Sequence, residues 1–353
     1  MRKFILILEI LFVAALLLAV IALCVGIPLG LPIPGMTPKL TEATQITTAV
    51  TEPSETSLPT DPEETEAPTE PPFQMPEISW KTLPADRELT AARAFVYDCQ
   101  SQSYLYVKGD TSEKLYIASI TKLFTAHVVV QYLDPQQTLT MTQEVLDMVP
   151  ADSSTAQLKL GDVLTVAQLI EGMILPSGND AAKLLATEAG RKAAGDATLS
   201  PTAAIEAFVT EMNYQAQALG LTGTHFANPD GYHDEAHYSC FDDLVTIAKL
   251  ALVNETIINC STLPEKHIVP VVGEEKDWIN TNFLVNPAYE YYCPYAIGLK
   301  TGQTDAAGKC QLSAFDFEGR EYIIGVFGSA GFNERLDDTL QLLNAKVMQQ
   351  SNP

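Results

Sequence analysis

Ser119 and Lys122, in Ile117-Ala118-Ser119-Ile120-Thr121-Lys122-Leu123, are the residues best placed to do chemistry. A serine hydroxyl is a poor nucleophile until a nearby base takes its proton. A lysine that is desolvated and close to another cation can be neutral enough to serve as that base. Residues three apart share one face of a helix. Phe124, Val128 and Leu133 keep a rough helical rhythm, which predicts a helix starting near Ser119 with Lys122 one turn beyond the hydroxyl. The free N–H groups of a helix start would also suit a developing oxyanion. Such a pair alone recurs by chance in long chains, so its weight depends on what else is present.

Two further short stretches add to it. Ser177-Gly178-Asn179 forms a polar turn directly after Leu175-Pro176. Lys300-Thr301-Gly302 ends an apolar, strand-like run from Ala296. The chain order is therefore S-x-x-K, then S-x-N, then K-T-G. Metal chemistry finds no comparable pattern: there is no C-x-x-C pair, and His233 and His237 in H-D-E-A-H lack the glutamate placement of a zinc helix. Both read as loop histidines.

The elements needed to position these residues are legible. Ala94–Tyr97 and Tyr104–Lys108 read as strands of a hairpin turning at 99–103. Thr165 and Gln168 make a capping-box pattern before a helix over Val166–Leu175, stopped by Pro176. A helix restarts at Asp180 and should close at Gly190. Ser200-Pro201 opens another helix, which ends at Leu219-Gly220. Asn228-Pro229-Asp230-Gly231 is a turn, and Phe241–Val253 is helical. Strands at Ala296–Thr301, Cys310–Phe317 and Tyr322–Phe327 and an amphipathic helix from Asn333 to Met348 complete the chain. A hairpin, a helical block, then strands and a closing helix predict a mixed α/β domain with a helical insertion.

The 353 residues are 46% hydrophobic, enough for a sizeable core, and the net charge of −23 argues against nucleic acid as a partner. Arg2 and Lys3 precede 18 uncharged residues from Ile10 to Ile27, long enough for a membrane span with its N-terminus inside. Residues 1–36 are thus expected to be an uncleaved anchor, or otherwise a signal peptide. Residues 37–77 hold ten Thr, eight Pro and nine acids against one Lys, a composition that buries no core and predicts a disordered stalk. Either way, residues 37–353 are expected to lie outside the cytoplasm, with residues 78–353 as the folded domain that carries the candidate residues. Beyond Cys24, five cysteines remain, an odd number that leaves at least one thiol free or paired between chains.

The three motifs in this order are the signature of the active-site serine penicillin-binding enzymes and class A β-lactamases. From Leu83 to Val347 the chain resembles the serine-type D-alanyl-D-alanine carboxypeptidases, the low-molecular-mass penicillin-binding proteins. The resemblance lies in Ile117–Ala126, Leu175–Ala182 and Gly298–Gly302, supported by Asn228–Tyr232, Asn280–Asn282 and Ala307–Cys310. S-G-N in place of S-D-N favours these carboxypeptidases over the β-lactamases. The resemblance implies a serine β-lactamase/penicillin-binding-protein-like fold: an antiparallel sheet flanked by helices, with a helical subdomain. It implies Ser119 as nucleophile, Lys122 as general base and Ser177 as proton relay. Asn179 would bind the substrate amide, and Lys300 and Thr301 would meet its terminal carboxylate. The backbone N–H groups of Ser119 and Gln303 would form the oxyanion hole. The implied substrate is a peptidoglycan stem peptide ending in D-Ala-D-Ala. β-Lactam antibiotics would be covalent inhibitors, and neither metal nor cofactor would be needed. Transpeptidase or endopeptidase action on the same substrates, or β-lactam hydrolysis, are the alternatives. Many members carry a β-rich domain after the catalytic one; here residues 303–353 are taken up by the remaining strands and helix, so membrane attachment is expected to fall to the N-terminal segment.

Overall fold

The computed structural model describes residues 87–348 together with Lys81 and Leu83. The expected anchor at 1–36 and stalk at 37–77 lie outside the described residues. In chain order the elements are β1 (Arg93–Asp98), β2 (Ser103–Lys108), a 3₁₀ turn at Ala118–Ile120, α1 (Thr121–Tyr132), β3 (Thr138–Thr140), α2 (Gln143–Leu146), β4 (Val163–Thr165), α3 (Val166–Ile174), α4 (Asn179–Ala194), α5 (Pro201–Ala218), α6 (Phe241–Val253) and α7 (Glu255–Ser261). There follow β5 (Glu265–Ile268), β6 (Lys276–Ile279), β7 (Ala296–Thr304), β8 (Gly308–Phe317), β9 (Arg320–Ser329) and α8 (Phe332–Leu343), which runs on into a π-helical turn at Asn344–Met348.

Five strands form an antiparallel sheet in the order β2-β1-β9-β8-β7, so the N-terminal hairpin joins the three C-terminal strands. Side chains alternate across its two faces. Phe95, Leu312, Ala314 and Ile323 enter the larger core shared with α1, α4 and α6. Ala94, Val96, Phe315 and Ile324 enter a smaller core closed by Leu336, Leu340 and Leu343 of α8. This is the antiparallel sheet with helices on both faces that the resemblance implies. Asp338 ties α8 to the start of the domain. Its carboxylate, fully buried, accepts from Thr90 N and Oγ1, Ala91 N, Ser329 Oγ and Arg87 NH1.

Two helix ends differ most from the sequence reading. The helix expected to stop at Gly190 continues to Ala194 and ends at Gly195, whose φ is +67°. Gly190 serves packing instead: a Cβ there would lie 1.9 Å from the carbonyl oxygen of Ala204, so its absence lets α4 and α5 touch. The last helix changes to π geometry after Leu343 rather than continuing as α-helix to Met348. The capping box of α3 forms as read, with Thr165 Oγ1 accepting from Gln168 N at 3.2 Å and Gln168 Oε1 from Thr165 N at 3.0 Å. All five cysteines of the described residues are unpaired.

Candidate active site

The three motifs meet at one cleft of about 720 Å³ between the free edge of β7 and the helical part of the domain. Ser119, Ser177, Asn179, Thr301, Gly302 and Gln303 all line it. Ser119 sits in the 3₁₀ turn, and the α-helix proper starts only at Thr121. Three non-glycine residues in or next to the motifs adopt left-handed backbone: Ala118 (φ +48°), Ser177 (φ +65°) and Leu299 (φ +75°). Such backbone persists only where its surroundings hold it. Just before Leu299 the β7–β8 register slips, between Ala296 and Gly298.

The motif glycines are explained by close approach. A Cβ on Gly302 would lie 2.7 Å from Ile117 O and 3.2 Å from Ser119 N, so only glycine lets β7 press against the turn that carries Ser119. A Cβ on Gly178 would lie 2.7 Å from Ala156 N, Asp180 Oδ1 and Gly172 O alike. Asp180 in turn accepts from Ala156 N, Leu158 N and Ala181 N, fastening the 152–158 lip of the cleft to the start of α4.

Lys122 is fully buried, with Nζ 2.9 Å from Ser119 Oγ, 2.7 Å from Asn179 Oδ1 and 2.7 Å from the carbonyl oxygen of Asp230. An ammonium would donate to all three. When it loses one proton, two N–H groups can stay on Asn179 and Asp230 and the lone pair is left facing the serine. Burial lowers the Lys122 pKa to about 8; Asp230 and Asp180 oppose the shift and Lys183 adds to it. At pH 7 about a tenth of Lys122 is then the free amine. A buried ion pair between Lys183 and Asp230, 3.0 Å, pins the Asn228–Gly231 turn that supplies the carbonyl.

Asn179 spends its oxygen on Lys122, so what it offers a substrate is its Nδ2 donor. Lys300 departs from expectation. It is 1% exposed and absent from the cleft lining, with Nζ 3.1 Å from Thr301 O, 3.4 Å from Thr281 Oγ1 and 3.5 Å from Thr301 Oγ1. Its charge reaches the cleft through the Thr281 and Thr301 hydroxyls, which bond each other at 2.7 Å. Burial holds its pKa well below that of a free lysine, with Lys122 and Arg335 adding to the shift. The cation that does line the cleft is Arg335 of α8. It is 3% exposed, lies 4.4 Å over the Phe332 ring, and its buried Nε has no partner. Sequence reasoning passed over it. The available signal was an arginine next to Leu336 on the apolar side of an otherwise amphipathic helix.

His237 lies in a loop, as read, but it is bound into the structure. It is 3% exposed. Ala227 N donates to Nδ1 at 3.2 Å, which fixes the proton on Nε2, and Nε2 lies 2.7 Å from Thr121 Oγ1. Thr121 Oγ1 donates onward to Ala118 O at 2.7 Å. A chain of hydrogen bonds therefore ends on Ala118, the positive-φ residue just before Ser119.

The D-alanyl-D-alanine carboxypeptidase family matches residues 80–330. The D-alanyl-D-alanine carboxypeptidase of Streptomyces sp. strain K15 is 32% identical over 248 residues, covering 68% of this chain and 81% of that protein. DacF of Bacillus subtilis, another D-alanyl-D-alanine carboxypeptidase, is 30% identical over 257 residues, covering 72% of this chain and 61% of DacF. Among solved structures, the Streptomyces K15 DD-transpeptidase superposes with a TM-score of 0.67 at 31% identity, covering 74% of this chain and 98% of that one.

Proposed function

The chain belongs to the D-alanyl-D-alanine carboxypeptidase family of serine hydrolases, and from that premise we propose how its own residues remove the terminal D-alanine from a peptidoglycan stem peptide. Neutral Lys122 takes the Ser119 proton as Oγ attacks the carbonyl carbon between the two D-alanines. The oxyanion forms against the N–H groups of Ser119 and Gln303, on the two chain segments that Gly302 allows to meet. The carbon–nitrogen bond then breaks, and the leaving amine takes a proton from Lys122, relayed by Ser177. D-Alanine departs and leaves an ester on Ser119. Water hydrolyses that ester, with Lys122 again accepting the proton, and releases the shortened peptide. A β-lactam stops at the equivalent ester because its leaving group stays tethered.

The single observation that carries this reading is the buried Lys122 amine 2.9 Å from Ser119 Oγ. Specificity for a free carboxylate is carried by Arg335, whose buried, unpartnered Nε lies at the end of the cleft that holds Thr301 and Thr281. Thr301 adds a hydroxyl, and Lys300 supports it from behind. The test is chromatography of products from an acyl-D-Ala-D-Ala peptide and from its C-terminal amide. Free D-alanine from the acid, lost in Ser119→Ala, supports the proposal. A charge-assisted hydrogen bond contributes roughly 1.5–3 kcal/mol, so the amide should be cleaved about 10- to 100-fold more slowly and Arg335→Gln should erase that difference. Equal cleavage of acid and amide by the wild type would favour endopeptidase action, and a cross-linked product would favour transpeptidation.

The proposal extends to location. The apolar run at Ile10–Ile27 anchors the protein in the membrane, and residues 37–77 tether the catalytic domain on the outer side, within reach of the wall. Recovery of a soluble form beginning near residue 30 would reject the anchor.

A further inference from the structure

A second cavity of about 500 Å³ adjoins the cleft, lined by Arg93, Lys114, Tyr116, Glu235 and Tyr238 and sharing Ala306 with it. Between the two stands the edge-to-face pair of Tyr116 and His233, ring centroids 5.0 Å apart, with His233 in the cleft lining. The cavity is built on fixed parts. Leu115 and Ser239 exchange both backbone hydrogen bonds, at 2.8 and 3.0 Å, which hold the segment carrying Lys114 and Tyr116 against the one carrying Tyr238. Lys114 Nζ lies 3.9 Å over the Tyr238 ring. Among the described residues no carboxylate forms an ion pair with Lys114, whereas Arg93 is paired with Glu113. Glu235 is the opposing charge in the lining.

The reaction geometry says which part of a substrate arrives there. With the leaving D-alanine directed at Thr301 and Arg335 and the scissile carbonyl at Gln303, the acyl side must run along β7 past Thr304, where the strand ends, to the turn at 305–307 that leads into β8. Asp305 and Ala306 of that turn line the cleft, and Ala306 lines the second cavity as well. A peptide paired with a strand edge advances one residue per strand residue. With the penultimate D-alanine at Gln303, the diamino acid falls at Thr304 and the γ-linked D-glutamyl residue, whose α-carbon carries a carboxylate or, where amidated, a carboxamide, falls at the turn.

We propose that the Lys114–Tyr238 cavity is a subsite for the α-carboxylate of that γ-linked D-glutamyl residue, so that this enzyme prefers the free acid to the amidated stem. The inference rests on the proposed function and its direction of binding. Lys114 is exposed, so the preference is modest and screened by salt.

The test compares the kcat/KM for D-alanine release from two synthetic pentapeptides, L-Ala-γ-D-Glu-L-Lys-D-Ala-D-Ala and its D-isoglutamine counterpart, at low salt. Diacetyl-L-Lys-D-Ala-D-Ala, which ends before the subsite, serves as reference. An exposed charge contact should give the wild type a preference of about fivefold for the glutamate peptide. Lys114→Gln should bring that ratio to one, whatever it does to either absolute rate. A wild-type ratio of one overturns the subsite, as does a ratio that survives Lys114→Gln. If the wild type releases no D-alanine even from the diacetyl tripeptide, the proposed function itself fails and the subsite falls with it.

Discussion

Replacing His237 with glutamine should flatten the acid side of the stability profile. His237 is buried, and burial lowers its pKa from 6.5 to about 4. Asp230 and Asp234 oppose that shift, while His225 and Lys122 add to it. The folded pKa is below the unfolded one, so between pH 6.5 and 4 the unfolded chain binds the extra proton. Stability contributed by the neutral ring is therefore complete above pH 6.5 and is lost as pH falls through that window. Linkage with these two values gives a loss of about 2 kcal/mol between pH 8 and pH 5 from this residue alone. Structurally, a proton on Nδ1 would face the N–H of Ala227, which now donates to it at 3.2 Å. Glutamine can place an N–H on Thr121 Oγ1 but does not titrate. Urea unfolding of the catalytic domain, followed by circular dichroism at pH 8 and pH 5, measures the difference. Wild type should lose about 2 kcal/mol more than His237→Gln over that interval. Equal losses in the two proteins would refute the argument, since the remaining titrating groups are common to both.

Other consequences follow from the same geometry. The rate of penicillin acylation of Ser119 should rise about tenfold per pH unit below pH 8 and level off above it, since the proposed base is the neutral form of Lys122. A profile flat from pH 6 to 9 would remove Lys122 from that role. Gly190→Ala pushes a methyl into the carbonyl of Ala204 and should destabilise the domain by about 1–3 kcal/mol, measured by urea unfolding. An unchanged midpoint would mean that α4 and α5 can separate freely. Asp338→Ala strands the buried donors of Ala91 and Ser329 and should cost about 3–5 kcal/mol by the same measurement, with D-alanine release falling only as the fold fails.

The sequence carried the chemistry further than the geometry. Order and local context were enough to draw attention to Ser119, Lys122, Ser177, Asn179, Lys300 and Thr301, because each sits in a motif only three or four residues long, whereas Gln303 came only with the family resemblance. Element types followed from local signals too: Thr165 and Gln168 cap a helix, and Pro201 starts one, wherever they stand. The places where the reading departed depend on contacts between distant segments. Gly190 resembles a helix stop locally, and only the approach of Ala204 shows that it is a packing glycine inside α4. Lys300 looks like a cleft cation in its strand, yet packing buries its amine against Thr301 and the Thr281 hydroxyl. Arg335 belongs to no motif and enters the cleft because α8 packs across the sheet. His237 looks idle until folding sets it against Thr121, 116 positions away. Sequence fixes which groups are available and their local backbone. Which charges lose their water, and which carbonyls a glycine must clear, is decided by long-range packing, because desolvation and steric contact depend on neighbours that the chain brings from elsewhere.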